Sequence, residues 1–233
     1  MKTPGSLPVY VQISEMLIRE ISAGHLLAGD RFPPERIMAR EMGVSVGTLR
    51  KALAELERKG LLERRQGSGN YVRANGKAEG VYAFFRIELL QGGGLPTARV
   101  LEIDRLTKPA DLPEFGASRE AHRIRRIRFL NQSSVALEEI WLDGDWAERL
   151  MASELSDSLY LYYKRRLGLW ITSAADSVGL STIPEWAPHE FQLAPGTPCG
   201  FVERTSWSQE NKPAECSRTW FDTSIARYVA RIK

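Results

Sequence analysis

The stretch from residue 32 to residue 72 constrains the fold most, because its turn and capping residues leave few possible arrangements. Prolines at its start, Gly43 and Gly60 mark the limits of two helices, and Ser45 is placed to cap the second of them. A short turn therefore separates the two helices. The buried face of the second helix is predicted to consist of Leu49, Ala52, Leu53 and Leu56.

An amphipathic helix precedes this pair and a hairpin follows it. Apolar side chains recur at helical spacing at Val9, Ile13, Leu17 and Ile21. Residues 61–72 form two short strand-like runs around a Gly-rich turn, with Arg64 and Arg65 beside it. This is the element order of a winged helix-turn-helix, whose last helix enters the major groove of DNA. The order predicts a DNA-binding domain, and a purely structural three-helix domain is the alternative.

Candidate DNA contacts lie on the outward side of this arrangement. Arg50 is opposite the apolar face, and a guanidinium can bind guanine through two hydrogen bonds, although a solvated surface arginine is the alternative. Arg36 begins the preceding helix and has the reach to contact a phosphate or a base. Ser45 and Thr48 sit where hydroxyls and helix N–H groups meet phosphates, and Ser45 is also an ordinary cap.

The hairpin tip is a further candidate. Gly67 and Gly69 allow the turn to approach a groove closely, and Gln66 is available to hydrogen-bond there. A tight hairpin turn without a DNA contact is the alternative. Charge favours a polyanion partner, because residues 1–75 carry 12 Lys and Arg against 8 Asp and Glu, whereas the remainder carries 20 against 21.

Length and composition predict two globular domains. The chain has 233 residues, 43% of them apolar, which divides into residues 1–75, a small and polar linker at 76–80, and residues 81–233. No signal peptide or long apolar run is recognisable, so we expect a cytoplasmic protein with no membrane partner. Cys199 and Cys216 are expected to be buried and reduced, and neither a metal site nor a cofactor is expected.

The second domain is predicted to be of the α+β class with a mainly antiparallel sheet. A helix is predicted over residues 157–167, and a turn at Asn211 and Lys212 joins the last two strands. The predicted strands are residues 100–104, 123–130, 136–142, 171–179, 200–208 and 214–221.

Residue types in this domain indicate an anionic ligand. Strand periodicity places Arg126 and Arg128 on one face among apolar residues, where guanidiniums favour an anion. Ser158 lies near a helix start, where free N–H groups also favour negative charge. The alternative for the two arginines is a surface ladder that pairs them with Glu138 or Glu139.

Glu215 could accept a hydrogen bond from an amine or hydroxyl of the ligand, with a structural role as the alternative. No Ser/His/Asp or Cys/His order is recognisable, and His25, His122 and His189 lie far apart in sequence. We therefore do not expect an enzyme.

The run FPPERIMAREMGVSVGTLRKALAELERKGLLERRQGSGNYV resembles the winged-helix domain of GntR-type regulators. In one respect it departs from that family: Val46 and Gly47 follow Ser45, where members commonly have arginine or another polar residue. One base contact is therefore expected to be apolar or absent. The resemblance implies DNA contacts from Arg36, Ser45, Thr48, Arg50, Gln66 and Gly67.

The second half resembles the HutC subfamily, whose ligand domain, called UTRA, has a chorismate-lyase-like fold. The similar segments are residues 95–100, 126–128, 158–160 and 213–215. The resemblance implies an effector pocket that includes Thr97, Arg126, Arg128, Ser158, Glu215 and Phe221.

Together these features predict a ligand-responsive repressor of a metabolic or transport operon. It is expected to bind palindromic operator DNA as a homodimer, since one winged helix reads few base pairs. The expected effector is a small anionic metabolite such as an amino sugar phosphate or a carboxylate. The alternatives are an architectural DNA-binding protein with a non-sensing second domain, and a lyase-like enzyme.

Overall fold

The computed structural model describes residues 7–22, 25–73 and 84–230. These residues form two compact units, Leu7–Phe85 and Arg86–Val229. The predicted linker, residues 76–80, lies outside the described residues. The predicted α+β class is confirmed, because helices and a small hairpin make up the first unit and a mainly antiparallel sheet makes up the second.

The helices of the N-terminal unit are α1 (Val9–Ser22), α2 (Glu35–Glu41) and α3 (Val46–Arg58). The predicted cap of α3 is confirmed, because the Thr48 N–H donates to Ser45 Oγ at 3.1 Å. Gly43, just after α2, has a φ of +64°, a left-handed conformation that glycine adopts at little cost.

A hydrophobic core joins α1 to α3. The predicted buried face of α3 is confirmed: four side chains are 0% exposed, namely Leu49, Ala52, Leu53 and Leu56. From α1, Ile13, Leu17 and Ile18 join this core. The sequence pattern also placed Val9 on the buried face, but Val9 is 40% exposed. It is the first residue of α1, and the helix's core residues begin one turn later.

The predicted hairpin is confirmed as an antiparallel pair, β1 (Leu62–Arg65) and β2 (Gly69–Val72). We refer to it as the wing. Gly67 and Gly69 have φ values of +72° and +124°, so the turn between the strands uses conformations that other residues rarely adopt. A bridge between Arg31 and Tyr71, not predicted from sequence, attaches the wing to the segment before α2.

In the C-terminal part that the structure describes, six antiparallel strands form a sheet in the order β4-β5-β6-β9-β8-β7. Their bounds are β4 Pro96–Thr107, β5 Glu120–Leu130, β6 Ser133–Asp143, β7 Ser173–Thr182, β8 Pro198–Trp207 and β9 Pro213–Phe221. A separate antiparallel pair, β3 (Ile87–Leu89) and β10 (Ala226–Tyr228), was not predicted.

Turn residues explain the connections of this sheet. Asn131 and Gln132, between β5 and β6, both have positive φ, as the two central residues of a type I′ hairpin turn require. Asn211, with a φ of +57°, lies in the predicted turn between β8 and β9. The prediction of β7 was wrong by two to three residues at each end. Ile171 fits a strand pattern, but it is buried before the ladder begins.

The predicted helix over residues 157–167 is observed in two parts. α4 (Leu159–Tyr162) continues as a π-helical turn, Tyr163–Leu167, which ends at Gly168. The helix begins later than predicted because Ser158 is its N-cap and accepts a hydrogen bond from the Leu161 N–H at 3.4 Å.

The two faces of the large sheet differ in chemistry. Period two along the strands places Arg126, Arg128 and Glu138 on one face, which contacts α4 through Tyr160. The opposite face belongs to an apolar cluster made of Ile127, Leu137, Ile183, Phe191, Cys199 and Trp220. Both cysteines are buried and free, as predicted. None of the described helices is long and apolar enough to cross a membrane.

We expect Leu53→Ala to lower the free energy of unfolding of the N-terminal unit by about 2–5 kcal/mol, because it leaves a cavity in a fully buried site. Leu27, which is 59% exposed, provides the control. Leu27→Ala should change the same quantity by less than about 0.5 kcal/mol. Urea unfolding followed by the helical circular-dichroism signal measures both variants. Equal midpoints would contradict the assigned core.

Candidate DNA interface and effector site

The predicted DNA contacts lie at the starts of α2 and α3 and at the wing tip. Thr48 is half-buried, and the exposed members are Arg36, Ser45, Arg50, Gln66 and Gly67. A cleft of about 440 Å³ runs between the residues before α2 and the wing, and Gln66 and Gly67 line it. The structure therefore brings the wing tip close to the helix that carries Arg36.

Arg50 is held by Glu35, a contact that the sequence analysis did not predict. Its Nε donates to Glu35 Oε2 at 2.7 Å, while the side chain remains 64% exposed. The hydrogen bond from Arg50 lowers the pKa of Glu35, so this carboxylate stays ionised at neutral pH. Because Nε is held, the edge formed by the two terminal nitrogens of Arg50 is left for another partner. This is the edge that a guanine base could bind.

At the start of α3, the hydroxyl-bearing residues Ser45 and Thr48 come before the first charged residue, Arg50. The Ser45 and Thr48 hydroxyls lie 2.9 Å apart. Val46 packs partly against the core, and Gly47 is exposed, where an added Cβ atom would lie 3.8 Å from Ser45 Oγ. Whether one base contact at this helix start is apolar or absent stays a prediction.

Arginines at the wing are held in different ways. Arg65 stacks on the Tyr71 ring, with 4.4 Å between its guanidinium carbon and the ring centroid, and pairs with Glu63 at 3.3 Å. Arg64 pairs with Glu57 at 2.9 Å. Stacking keeps the Arg65 guanidinium at the surface, where it is 53% exposed and accessible to a phosphate.

In the C-terminal unit, Arg126 and Arg128 share a buried carboxylate. Arg126 Nε donates to Glu138 Oε2, and Arg128 Nη2 donates to both oxygens of Glu138 at 3.2 and 3.3 Å. All three side chains are less than 10% exposed. Burial would raise the pKa of Glu138, but the two guanidiniums bring it below its ordinary value. The predicted alternative was right about the partner Glu138, but the ladder is buried rather than on the surface.

Both arginines also reach the segment that begins α4. The Asp157 carbonyl accepts hydrogen bonds from Arg128 Nη1 at 2.9 Å and from Arg126 Nη1 at 3.4 Å. The Asp157 carboxylate accepts one from the Ala98 N–H at 2.9 Å. Ser158, the next residue, is buried and caps α4. The structure thus brings Ser158 close to the predicted arginine pair.

Glu215 lies on the same sheet face in a second polar cluster. Tyr160 OH donates to Glu215 Oε1 at 3.0 Å, and Ser206 Oγ lies 2.8 Å from the same hydroxyl. Burial raises the pKa of Glu215, although Tyr163, Tyr160 and Arg126 act in the opposite direction. Sequence reasoning missed Tyr160 and Ser206 as site residues, because their contact joins α4 to a distant strand.

Beside this cluster, Arg204 is bound to Asp176 through two hydrogen bonds of 2.5 and 2.7 Å. Tyr228 OH donates to the same carboxylate at 2.6 Å. A row of charged and hydroxyl-bearing side chains therefore continues along this face toward β7.

Phe221 and Thr97 are placed differently. Phe221 and Arg128 are both register partners of Ala136, so they belong to one row on one face. The Phe221 ring also covers Gly200, where a Cβ atom would come within 2.2 Å of it. Thr97 pairs with Phe129, which places it on the opposite face from Arg128. Thr97 is the predicted effector residue that the structure does not bring to the others.

This combination of an exposed winged helix and a sheet domain with buried arginines defines a two-domain DNA-binding regulator. Residues 9–72 match the family model of bacterial regulatory proteins of the gntR family, and residues 91–227 match the UTRA domain. The chain belongs to the GntR family and carries a UTRA domain.

Similar proteins include HTH-type transcriptional regulator SmoD of Agrobacterium fabrum, 55% identical over 99% of both chains. HTH-type transcriptional repressor NagR of Bacillus subtilis is 26% identical over 91% of this chain and 90% of its own. Among solved structures, the ligand-binding domain of a protein assigned to the GntR regulators of Bordetella bronchiseptica is 26% identical. It matches with a TM-score of 0.57 over 65% of this chain and 99% of its own. The chain is a transcription regulator and not an enzyme.

We expect Glu138→Ala to lower the free energy of unfolding of the C-terminal unit by about 3–5 kcal/mol, because two buried guanidiniums lose their counter-charge. The control is Glu120→Ala on the same sheet, whose exposed pair with Arg105 should contribute less than about 1 kcal/mol. All six tryptophans lie in residues 141–220, so urea unfolding followed by tryptophan fluorescence measures this unit alone. A Glu138 variant as stable as the Glu120 variant would contradict the buried pair.

Proposed function

We propose that the chain is a HutC-type repressor of a metabolic or transport operon, which binds palindromic operator DNA as a cytoplasmic homodimer. A small anionic metabolite bound by the C-terminal unit releases it from DNA. The observation that carries this proposal is the pair Arg126 and Arg128, buried side by side and bonded to the start of α4. The similarity to NagR, whose name describes a repressor, supports the sign of regulation.

An anion that reaches the arginines has to replace one of their present partners. Glu138 is ionised, and removing it would separate buried opposite charges at high cost. The Asp157 carbonyl is neutral, and its loss costs a hydrogen bond worth about 1.5–3 kcal/mol when the donor is charged. We infer that the anion displaces Asp157, so that ligand binding moves the start of α4.

The other side chains on this face of the sheet fit a ligand that carries further functional groups besides its anionic group. Glu215 and Tyr160 offer an acceptor and a hydroxyl to an amine or hydroxyl group. Ser158 and Phe221 add a further hydroxyl and an apolar ring on the same side of the sheet. An amino sugar phosphate or a sugar carboxylate carries this set of groups, and we propose one of them as the effector class.

On the DNA side, we propose that Arg50 reads a base, that Arg36 reaches a base or a phosphate, and that Ser45 and Thr48 contact phosphates. Gln66 and Gly67 would place the wing against the adjacent groove or backbone. Support comes from the exposure of Arg50 and from its Nε contact with Glu35, which leaves the edge formed by the two terminal nitrogens for a base.

Arg50→Ala should weaken operator binding by about 1–3 kcal/mol and reduce the preference for operator over unrelated DNA, because a base contact is lost. Arg65→Ala is the matched comparison from the wing. It should weaken binding to all sequences alike and reduce the slope of log affinity against log salt by about 1. Fluorescence-anisotropy titrations at several salt concentrations, with DNA selected from a random pool, measure both. Unchanged preference in the Arg50 variant would refute the base contact.

Arg128→Ala should abolish the effect of the ligand on operator affinity, because an effector acts only through its different affinities for the two states. Operator affinity without ligand should remain near that of the unmodified chain. Arg125→Ala is the control, since Arg125 is the neighbour of Arg126 on the opposite face and pairs with Glu102 and Glu139. The probes are glucosamine 6-phosphate, glucuronate and the uncharged parent sugar glucose.

The assay is operator titration with and without each probe, preceded by calorimetry to find which probe binds. If the ligand still releases the Arg128 variant from operator DNA but no longer releases the Arg125 variant, the effector site lies on the other face of the sheet. A protein that binds operator but responds to no anionic probe would favour the non-sensing alternative.

A further inference from the structure

The cleft between the wing and the segment before α2, which we call the wing cleft, has more basic than acidic side chains in its walls. Its volume is about 440 Å³, and the charged residues that line it are Arg31, Glu35, Arg64 and Arg65. Two of the proposed DNA contacts, Gln66 and Gly67, line it as well. The wing cleft is therefore continuous with the proposed DNA interface.

Most of the charges in the wing cleft are already balanced. Three of its four charged residues form ion pairs, Glu35 with Arg50, Arg64 with Glu57 and Arg65 with Glu63. Arg31 is exposed and has no carboxylate partner in the part of the chain that the structure describes. A guanidinium stays charged at any physiological pH, so Arg31 leaves one positive charge of the wing cleft uncompensated by the described residues.

The backbone holds Arg31 beside the wing. Its segment pairs with β2 through the bridge between Arg31 and Tyr71, and the Phe32 N–H donates to the Asn70 carbonyl at 2.9 Å. The Phe32 side chain is buried in the core of the N-terminal unit. Because neighbouring side chains of an extended segment point to opposite sides, the Arg31 side chain lies on the outward side.

Gly69 leaves the space that the Arg31 guanidinium occupies. A Cβ atom added at Gly69 would lie 3.2 Å from Arg31 Nε and 3.5 Å from one of its terminal nitrogens. The guanidinium therefore lies directly on the wing backbone, beside the turn that carries Gln66 and Gly67. A long side chain that is held against a backbone has fewer orientations to lose when it binds a partner.

We propose that Arg31 is a further DNA contact, which binds a backbone phosphate in the wing cleft. A guanidinium can form two parallel hydrogen bonds to a phosphate, and contacts of this kind position a protein on DNA without reading its sequence. The continuity of the wing cleft with Gln66 and Gly67 favours a phosphate of DNA over a phosphate-bearing metabolite. This inference rests on the proposed DNA binding of the N-terminal unit.

The test measures the affinity of the full chain for a short DNA duplex of random sequence at several salt concentrations, by fluorescence anisotropy. Each phosphate that a protein neutralises contributes about 0.9 to the slope of log affinity against log salt. Arg31→Ala should therefore make this slope less steep by about 0.9, and it should weaken binding to operator and to random DNA by the same factor. Arg31→Lys should restore the slope, because it keeps the charge.

Arg58→Ala is the matched control, since it removes the same formal charge from the same unit. Arg58 is 69% exposed, pairs with Glu55 at 2.7 Å and is the last residue of α3. Recognition helices contact bases with their N-terminal residues, so Arg58→Ala should leave the slope unchanged. Urea midpoints of both alanine variants should match that of the unmodified protein, because both side chains are exposed.

Four outcomes would overturn the inference. If Arg31→Ala keeps the original slope, or Arg58→Ala reduces it equally, Arg31 is not a phosphate contact although the chain still binds DNA. A loss that Arg31→Lys does not restore would mean that Arg31 only supports the wing. Calorimetric binding of inorganic phosphate that Arg31→Ala removes, with an unchanged slope on DNA, would assign the wing cleft to a free anion. If the unmodified chain binds neither duplex, the proposed DNA binding itself is wrong.

Discussion

The burial of two guanidiniums on one sheet face is the constraint on which the C-terminal unit depends. A buried cation costs free energy unless its charge and its N–H groups have partners. Glu138 supplies the charge for Arg126 and Arg128, and the Asp157 carbonyl supplies a further acceptor. Because the Asp157 carboxylate also binds the Ala98 N–H, strands β4, β5 and β6 and the start of α4 meet in one set of polar contacts. None of these elements can shift without changing the environment of the others.

That arrangement explains how a small ligand could affect the whole domain. Allosteric coupling is typically about 1–3 kcal/mol, and a charge-assisted hydrogen bond to a carbonyl lies in the same range. Exchange of the Asp157 carbonyl for an anion therefore needs no large rearrangement to produce a useful response. In the proposed exchange, the buried salt bridge to Glu138 stays in place and keeps the arginines ordered with and without ligand. On this view Glu138 preserves the site, and Asp157 is the contact that changes.

Local sequence signals predicted the N-terminal unit well and the C-terminal site less completely. Ser45, Gly43 and the apolar face of α3 act within one or two helix turns, so their roles follow from spacing alone. Period two likewise placed Arg126 and Arg128 together. The contact of Tyr160 with Glu215 joins residues 55 positions apart, and its existence depends on how α4 lies on the sheet. The same holds for Thr97, whose face is decided by the register between β4 and β5 rather than by its own neighbours.

Arg50 in the N-terminal unit forms the same kind of arginine–carboxylate pair as Arg126 and Arg128, but at the protein surface. Glu35 binds its Nε and thereby limits the orientations of a long side chain before DNA arrives, which lowers the entropy lost on binding. The carboxylate also brings a negative charge close to a surface that has to meet phosphates, which opposes binding to any DNA sequence. These two effects act on different quantities: the first favours the geometry of a base contact, and the second reduces nonspecific affinity. Only the first raises the ratio of operator binding to nonspecific binding, because the second lowers the affinity for operator and for unrelated DNA alike. In the proposed complex, Glu35 therefore improves selectivity by holding Arg50 and lowers affinity through its charge.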